Sequence, residues 1–170
     1  MSIRHVVVDT ALGPITIAAT GEAISGLYFE EHIRRPRAET LGRRIPLSWD
    51  PLLTEAAVQL LEYLEGARRT FELPLQATGS SFQQAVWAIV SEIPFGETRT
   101  YGDIAGELGD RSRAQEVGEA VGMNPLCIIV PCHRVVGASG SLTGYAGGLT
   151  RKRALLELEA PVAALAGRLF

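Results

Sequence analysis

Apolar and polar positions alternate at the start of the chain, and this period of two predicts β-strands. Residues 5–9 and 14–20 form two such runs around the turn at Leu12-Gly13, and residues 23–29 form a third. Three short strands in succession predict an antiparallel meander. Residues 30–50 are charged and hold five arginines, so we interpret them as a solvated loop: Arg34, Arg35, Arg37, Arg43 and Arg44.

From Pro51 onward, the spacing of apolar residues changes to that of a helix. Apolar residues recur on one helical face at positions 53, 56, 57, 60, 61 and 64. Asp50 precedes them as the expected N-cap, and Gly66 ends the pattern. Residues 71–75 then predict a short edge strand interrupted by Pro74. Residues 1–78 therefore predict an α/β domain.

The remaining chain, residues 79–170, predicts a mainly helical domain. Ser80 or Ser81 caps a helix whose apolar face ends at position 93. Thr100 caps a short helix over residues 101–108, and a tight connection leads to a second helix over residues 113–123. Two helices joined in this way are typical of a helix-turn-helix. Thr150 is the expected cap of a last helix.

Composition limits the class of protein. The 170 residues carry a net charge of −3, which excludes a strongly basic nucleic-acid binder but leaves room for a small basic surface. No apolar stretch reaches the roughly 20 residues that span a bilayer, and the start resembles no signal peptide. We therefore expect a cytoplasmic protein that does not enter the membrane, with its two cysteines, Cys127 and Cys132, reduced.

The run Ile128–Val136 concentrates the chemistry. It places a thiol and an imidazole, Cys132 and His133, within an apolar frame. A cysteine is nucleophilic as a thiolate, which a neighbouring base can generate. The alternative is a buried structural cysteine. Zinc held by Cys127, Cys132 and His133 is disfavoured because the CxxC spacing is absent, and we expect no metal or cofactor.

A glycine-rich loop, residues 137–148, follows this run. Such a loop offers backbone N–H groups to a ligand, although it can also be a simple surface turn. Several motifs occur together in order: residues 82–87, 96–102, an asparagine eight positions before Cys132, Pro131–Val136, 143–148 and 151–153. This combination resembles the O6-alkylguanine-DNA alkyltransferase family, most closely over residues 80–160.

The resemblance implies an RNase H-like first domain and a second domain that repairs DNA. Such a protein moves an alkyl group irreversibly from guanine O6 to its own cysteine, here Cys132. By resemblance, His133 takes the thiol proton through a water, and Glu159 orients the imidazole. Tyr101 would donate to N3 of the leaving guanine, and Asn124 would support the surroundings of the thiol.

The resemblance also assigns the base-binding residues. The backbone N–H of Ala146 would hold O6, while the carbonyl groups of Cys132 and Val135 would read the exocyclic amine. Tyr145 would cover the base face. Two further residues, Gly147 and Lys152, belong to the expected substrate-binding set.

The implied partner is double-stranded DNA that contains O6-alkylguanine, bound by a monomer through its minor groove with the damaged nucleotide flipped out. Whether molecules cluster on DNA stays open. The expected DNA surface comprises Arg111, Arg113, Gln115 and Gly118. Gln115 stands where the family usually has an arginine, and Glu116 where a small residue is usual. We therefore expect weaker DNA binding than is typical of the family.

Three other functions remain open. Relatives that only bind the lesion lack the cysteine, which is present here. A Cys–His–Glu hydrolase would need an oxyanion hole and would turn over esters repeatedly. A transcriptional regulator would bind undamaged sequence, but the exposed face of its second helix would carry Gln115, Glu116 and Glu119, which is acidic for a surface that meets phosphates.

Overall fold

The computed structural model describes residues 2–32 and 36–160. The predicted meander is confirmed and consists of β1 (Ile3–Thr10), β2 (Gly13–Thr20) and β3 (Ala23–Phe29). Strand β2 pairs antiparallel with β1 on one side and with β3 on the other. Gly13 makes the first hairpin possible because its φ is +95°. Ile15 and Ile17 of the central strand are fully buried. Two predicted features, Arg34 and Arg35 of the charged loop and the tail 161–170, lie outside the described residues.

The predicted helix lies against this sheet as α1 (Pro51–Leu64). The Asp50 side chain caps it by accepting a hydrogen bond from the Leu53 amide at 3.0 Å. The guanidinium of Arg4 on β1 binds the same carboxylate at 2.6 Å. Burial raises the pKa of Asp50, but the Arg4 guanidinium and backbone hydrogen bonds outweigh burial and lower it overall. The cap therefore fixes the helix to the sheet as well as starting it.

Two predictions about connecting segments are wrong. Residues 30–50 are more than a solvated loop, because Arg43–Arg44 forms strand β4, which pairs in parallel with β1 and makes the sheet mixed. Leu41 beside it is buried.

Residues 71–75 do not form an edge strand: only Leu75 bridges Ile24. Pro74 has no N–H to donate, which limits pairing there to a single bridge.

The second part is mainly helical, as predicted. It contains α2 (Ser81–Ser91), α3 (Tyr101–Glu107), α4 (Ala114–Gly122) and α5 (Leu149–Glu159). Ser80 and Thr100 cap α2 and α3 through reciprocal capping boxes. The Thr150 cap is wrong, because the cap position is two residues earlier, at Gly148, whose φ of +92° favours glycine. A single 3₁₀ turn joins α3 to α4.

Two short backbone pairings position the central run. Strands β5 (Arg99–Thr100) and β6 (Val135–Val136) pair in parallel, which places the residues after Cys132 beside the start of α3. The amide of Leu27 on β3 donates to the Pro125 carbonyl at 2.8 Å. The first domain is therefore joined by backbone to the segment that precedes Cys127, and one hydrophobic core runs through both parts. No helix within residues 2–32 and 36–160 has the length and apolar character needed to cross a membrane.

Candidate active site

The segment between α4 and Cys132 is held from within by one buried amide. Asn124 donates from Nδ2 to the Val130 carbonyl at 2.9 Å, and its Oδ1 accepts from the Leu126 amide at 2.9 Å. A side chain that bonds both sides of a loop substitutes for regular secondary structure, since buried backbone groups need partners. The sequence-predicted Asn124 thus closes the turn that carries the cysteine.

Two tight turns fold this segment back on itself. The Ile129 amide bonds the Cys127 carbonyl at 2.9 Å across Ile128, whose φ is +73°. This γ-turn is strained, because a β-branched side chain is disfavoured at positive φ. The Cys132 amide bonds the Val130 carbonyl at 2.7 Å across Pro131, an inverse γ-turn with φ −79° and ψ 64°. The turns bring the two cysteines together.

Cys132 lies at the centre of the site with only 4% of its surface exposed. Its Sγ is 3.8 Å from Sγ of Cys127, which is fully buried. The Cys127 thiol hydrogen-bonds Cys132 and lowers the pKa of Cys132; burial opposes this, while Asn124 and the Lys152 ammonium favour the thiolate. The same contact, with burial, raises the pKa of Cys127 well above its usual range. Cys132 is therefore the more nucleophilic thiol.

His133, the next residue, points into a buried polar cluster. Its Nε2 is 2.8 Å from Oε2 of Glu159 on α5, and both residues are almost completely buried. Burial lowers the pKa of His133, and the Glu159 carboxylate only partly offsets this. A neutral imidazole that donates from Nε2 to a carboxylate carries its lone pair on Nδ1. His133 Nδ1 has no hydrogen-bond partner among the described residues, so it is free to accept a proton.

Two residues that the sequence analysis missed complete this cluster. Arg134 binds Glu159 in a bidentate pair, Nε to Oε1 at 2.8 Å and Nη2 to Oε2 at 2.9 Å. Tyr63 of α1 donates its hydroxyl to Oε2 of Glu159 and lies 3.4 Å from Nε2 of His133. Burial raises the pKa of Glu159, but hydrogen bonds from His133 and Arg134 outweigh it and hold that pKa well below its usual range. The carboxylate is therefore ionised.

Both omissions have a reason in the sequence. Arg134 stands in an apolar run, where a charged group needs a partner, and that signal could have identified it. Tyr63 gave no signal, because it lies outside the apolar face predicted for α1 and comes from the other domain. Its contact with Glu159 fixes α1 against the last helix.

Lys152 is fully buried and fastens the glycine-rich loop. Its Nζ donates to the carbonyl groups of Val135 at 2.6 Å, Thr143 at 2.9 Å and Gly144 at 3.3 Å. Burial lowers the pKa of Lys152 to about 8. The ammonium thus joins the strand after Cys132 to the second half of the loop, and its charge favours the nearby thiolate.

A pocket of about 190 Å³ opens above Cys132. Tyr101, Gly118, Tyr145 and Ala146 are among its lining residues. The Tyr101 hydroxyl donates to the Thr143 carbonyl at 3.2 Å, and burial raises the pKa of Tyr101, so the phenol is protonated at neutral pH. The structure therefore brings a nucleophile, a proton donor and two loop residues to one cavity.

Two of the expected base-binding residues lie behind this pocket rather than in its lining. The Val135 carbonyl accepts the bond from Lys152, and Val135 is fully buried in β6. Gly147 packs where any side chain would collide with the rings of Phe29 and Tyr145. Both residues hold the pocket wall in place.

A larger groove of about 820 Å³ adjoins the pocket, and Tyr101 and Gly118 line both cavities. Its other lining residues come from α3, α4 and the loops beside them, and they include Arg111 and Gln115. Gly118 presents no side chain toward Tyr101, and an added Cβ would lie 3.7 Å from the Tyr101 ring.

Arg113 does not face this groove freely. Its guanidinium binds Glu116 at 2.6 Å and stacks over the Phe82 ring at 4.3 Å. Glu116 is therefore paired, which reduces the repulsion that the sequence predicts between this carboxylate and phosphates. Among the residues that the structure describes, Arg111 pairs with Asp103 alone, at 3.5 Å, and is exposed.

The described residues contain no group of three or more His, Cys, Asp or Glu arranged to hold a metal ion.

Comparison with known proteins covers both parts of the chain. Residues 3–77 match the ribonuclease-like domain, and residues 81–161 the DNA-binding domain, of 6-O-methylguanine DNA methyltransferase. The chain is 46% identical over 158 residues to the methylated-DNA–protein-cysteine methyltransferase of Mycobacterium tuberculosis H37Rv, covering 92% of each chain. It is 48% identical over 143 residues to the inducible enzyme of that name from Bacillus subtilis strain 168, covering 80% of each.

A solved structure agrees with these relatives. The crystal structure of Mycobacterium tuberculosis OGT in complex with DNA superposes with a TM-score of 0.83 at 43% identity, covering 95% of this chain and 97% of that one. The RNase H-like fold class implied by the resemblance is confirmed by the ribonuclease-like match, and the chain belongs to the 6-O-methylguanine DNA methyltransferase family.

Proposed function

We propose that this protein repairs DNA by moving the alkyl group of O6-alkylguanine to Sγ of Cys132. The observation that carries the proposal is the position of Cys132, at the base of a pocket that shares Tyr101 and Gly118 with a groove along α3 and α4. Relatives at 46% and 48% identity are named methylated-DNA–protein-cysteine methyltransferases. A pocket beside a groove suits an extrahelical base next to its duplex.

The thiolate is the nucleophile. Cys132 Sγ attacks the alkyl carbon in line with the C–O6 bond, so the S–C bond forms as the C–O6 bond breaks. The thiol proton passes through one water to His133 Nδ1, the nitrogen left without a partner when Nε2 donates to Glu159. The resulting imidazolium faces an ionised carboxylate, which stabilises it. Asn124 holds the turn that aims the sulfur.

The leaving guanine needs a proton or hydrogen bond as its negative charge develops. Tyr101 supplies this at N3 from its protonated hydroxyl. The Ala146 N–H binds O6, and Tyr145 covers the base. The Cys132 carbonyl reads the exocyclic amine, in a wall that Val135, Lys152 and Gly147 keep rigid. Guanine is restored in the DNA, and the protein keeps a thioether.

The DNA partner binds through its minor groove, with the damaged nucleotide rotated into the pocket. Gln115 lines the groove next to the pocket, and it fills the vacated space without contributing charge. Arg111 provides an exposed cation for a phosphate. Gly118 allows close approach of the duplex.

The protein acts as a monomer without a cofactor, with the domain boundary between residues 78 and 79. It works in the cytoplasm, where reducing conditions keep Cys132 available.

The thioether makes the reaction single-turnover. Cys127 lies within 3.8 Å of the acceptor sulfur, but a thiol does not displace a carbon substituent from a thioether under mild conditions. No group in the described site regenerates Cys132. Each protein molecule therefore repairs one base.

The test measures the DNA. A duplex with one O6-methylguanine is supplied in excess over protein, and its nucleosides are quantified after digestion. We expect one guanine restored per protein molecule, with no further conversion, and none for Cys132→Ser. Repeated turnover would contradict the single-turnover mechanism. Tight lesion binding without guanine recovery would instead indicate a protein that only marks the lesion.

A further inference from the structure

A second thiol lies beside the acceptor sulfur, and the transfer mechanism does not use it. Cys127 Sγ is 3.8 Å from Cys132 Sγ, and Cys127 has no exposed surface. Cys132, by contrast, lines the pocket and is reachable from it. We propose that Cys127 and Cys132 form a reversible oxidation site, at which a hydroperoxide converts the two thiols to an intramolecular disulfide.

The backbone builds this contact. The γ-turn at Ile128 and the inverse γ-turn at Pro131 reverse the chain between the cysteines, so two sulfurs five residues apart face each other. Strain at Ile128 is maintained only where surrounding contacts enforce it. Here the Asn124 side chain closes the turn from both sides. A disulfide places its sulfurs about 2.05 Å apart, so oxidation needs a small inward movement of two side chains that already face each other.

The surroundings of Cys127 differ from an apolar packing site. Its Sγ is 3.8 Å from His32 Nε2. His32 stacks against Phe29, with ring centroids 6.2 Å apart. Cys127 therefore sits between the acceptor sulfur and the His32 imidazole.

Access determines the order of the two steps. The oxidant enters the pocket and meets Cys132, whose thiolate attacks one peroxide oxygen and breaks the O–O bond. This leaves a sulfenic acid on Cys132 and an alcohol, or water when the oxidant is hydrogen peroxide. Cys127 sulfur then attacks the Cys132 sulfur, and the sulfenic oxygen leaves as water with the Cys127 proton. Two thiols are oxidised by two electrons and one peroxide is reduced.

The disulfide changes what Cys132 can do. A sulfur in a disulfide is no longer a thiolate, so alkyl transfer stops, and it is also protected from irreversible oxidation to sulfinic acid. A dithiol reductant restores both thiols by exchange. The oxidation requires no DNA, so it can succeed or fail independently of the proposed alkyl transfer.

Mass spectrometry of the wild-type protein tests the proposal directly. The protein is treated with hydrogen peroxide without DNA, its remaining thiols are blocked with N-ethylmaleimide in denaturant, and it is digested with trypsin. Cleavage after Arg113 and Arg134 leaves both cysteines in one peptide, residues 114–134. We expect this peptide to lose two hydrogens and take no maleimide. Dithiothreitol added before blocking should restore two maleimide adducts and full alkyl transfer.

Variants provide the control and the second readout. In Cys127→Ser and Cys127→Ala, peroxide should carry Cys132 to sulfinic acid, and dithiothreitol should not recover transfer. Wild-type peptide that gains two oxygens without losing hydrogens would overturn the proposal. So would a disulfide between two chains, or equal recovery of the Cys127 variants and wild type. The wild-type measurement decides the matter even if both variants fold poorly.

Discussion

Replacing Arg134 with methionine removes the bidentate partner of a buried carboxylate while keeping an unbranched stem that reaches as far as Nε of the arginine. Arg134 makes three buried hydrogen bonds, two to Glu159 and one from Nη1 to the Ile93 carbonyl at 2.6 Å. Removing one member of a buried ion pair commonly costs about 3–5 kcal/mol, because the other charge stays desolvated. Tyr63 and His133 still bond the carboxylate, so we expect a loss near the lower end, about 3 kcal/mol. That is a large part of the roughly 5–15 kcal/mol that stabilises a typical domain.

The loss should depend on pH in a definite direction. In the wild type the pKa of Glu159 is lowered, since bonds from His133 and Arg134 outweigh the burial that raises it. A carboxylate with a lowered folded-state pKa stabilises the protein above its unfolded pKa of about 4.3, and this contribution fades as pH falls below that value. The variant has lost most of this contribution at every pH. The difference in free energy of unfolding between the wild type and Arg134→Met should therefore be largest at neutral pH and smaller in acid.

Urea unfolding between neutral and acid pH, followed by tryptophan fluorescence, measures this difference. Arg153→Met is the matched control, since Arg153 is an exposed arginine on α5, the helix that carries Glu159, and its effect should stay within about 0.5 kcal/mol. Arg134→Met combined with Glu159→Gln should cost less than the two single changes together. A loss below about 1 kcal/mol, or one that is unchanged in acid, would refute the charge-pairing argument.

Three other changes separate chemistry, DNA binding and folding. Tyr101→Phe should slow alkyl transfer by about 10²-fold or more, because the hydroxyl that assists the leaving guanine is lost together with its bond to the Thr143 carbonyl. The ring that lines the groove is kept, so binding of undamaged duplex should stay the same. An unchanged rate in rapid-quench assays would remove Tyr101 from the mechanism. Gln115→Arg should tighten duplex binding and steepen its salt dependence by about one phosphate contact. Gln76 is exposed on the other domain, so the control Gln76→Arg should change neither quantity. Equal titration curves for the two variants would contradict this. Asp50→Ala should destabilise the protein by about 1–2 kcal/mol, because both the α1 cap and the ion pair with Arg4 are lost, with the transfer rate of the folded protein preserved. An unchanged urea midpoint would show both contacts to be redundant.

Local patterns predicted most of the fold. The period of two over residues 3–29 and the helical period after Pro51 reflect which side chains are buried, so they could be read directly. Segments whose structure depends on distant partners were harder. Strand β4 exists because Arg43–Arg44 meets β1, and two exposed arginines carry no strand pattern of their own. The start of α5 depends on Gly148 adopting a positive φ, which made the Thr150 cap wrong.

The candidate site was predicted as a set of residues but not as a set of contacts. Motif order placed Cys132, His133 and Glu159 in one mechanism, and the structure brings His133 and Glu159 within hydrogen-bonding distance. The Tyr63 contact joins residues 96 positions apart on different domains, beyond the reach of any local pattern. The Cys127–Cys132 contact depends on Ile128 at positive φ, a conformation that a β-branched residue rarely adopts and that sequence therefore does not predict.

The most direct test of the mechanism is the intact mass of the protein after incubation with a duplex that carries one O6-methylguanine. The account predicts a gain of one methylene per molecule, mapped by peptide fragmentation to Cys132 and absent from Cys132→Ser. Cys127→Ser, the matched thiol control, should gain the same mass in a reducing buffer. A methyl group on Cys127 or any other residue, or no gain despite loss of O6-methylguanine from the duplex, would contradict the central claim.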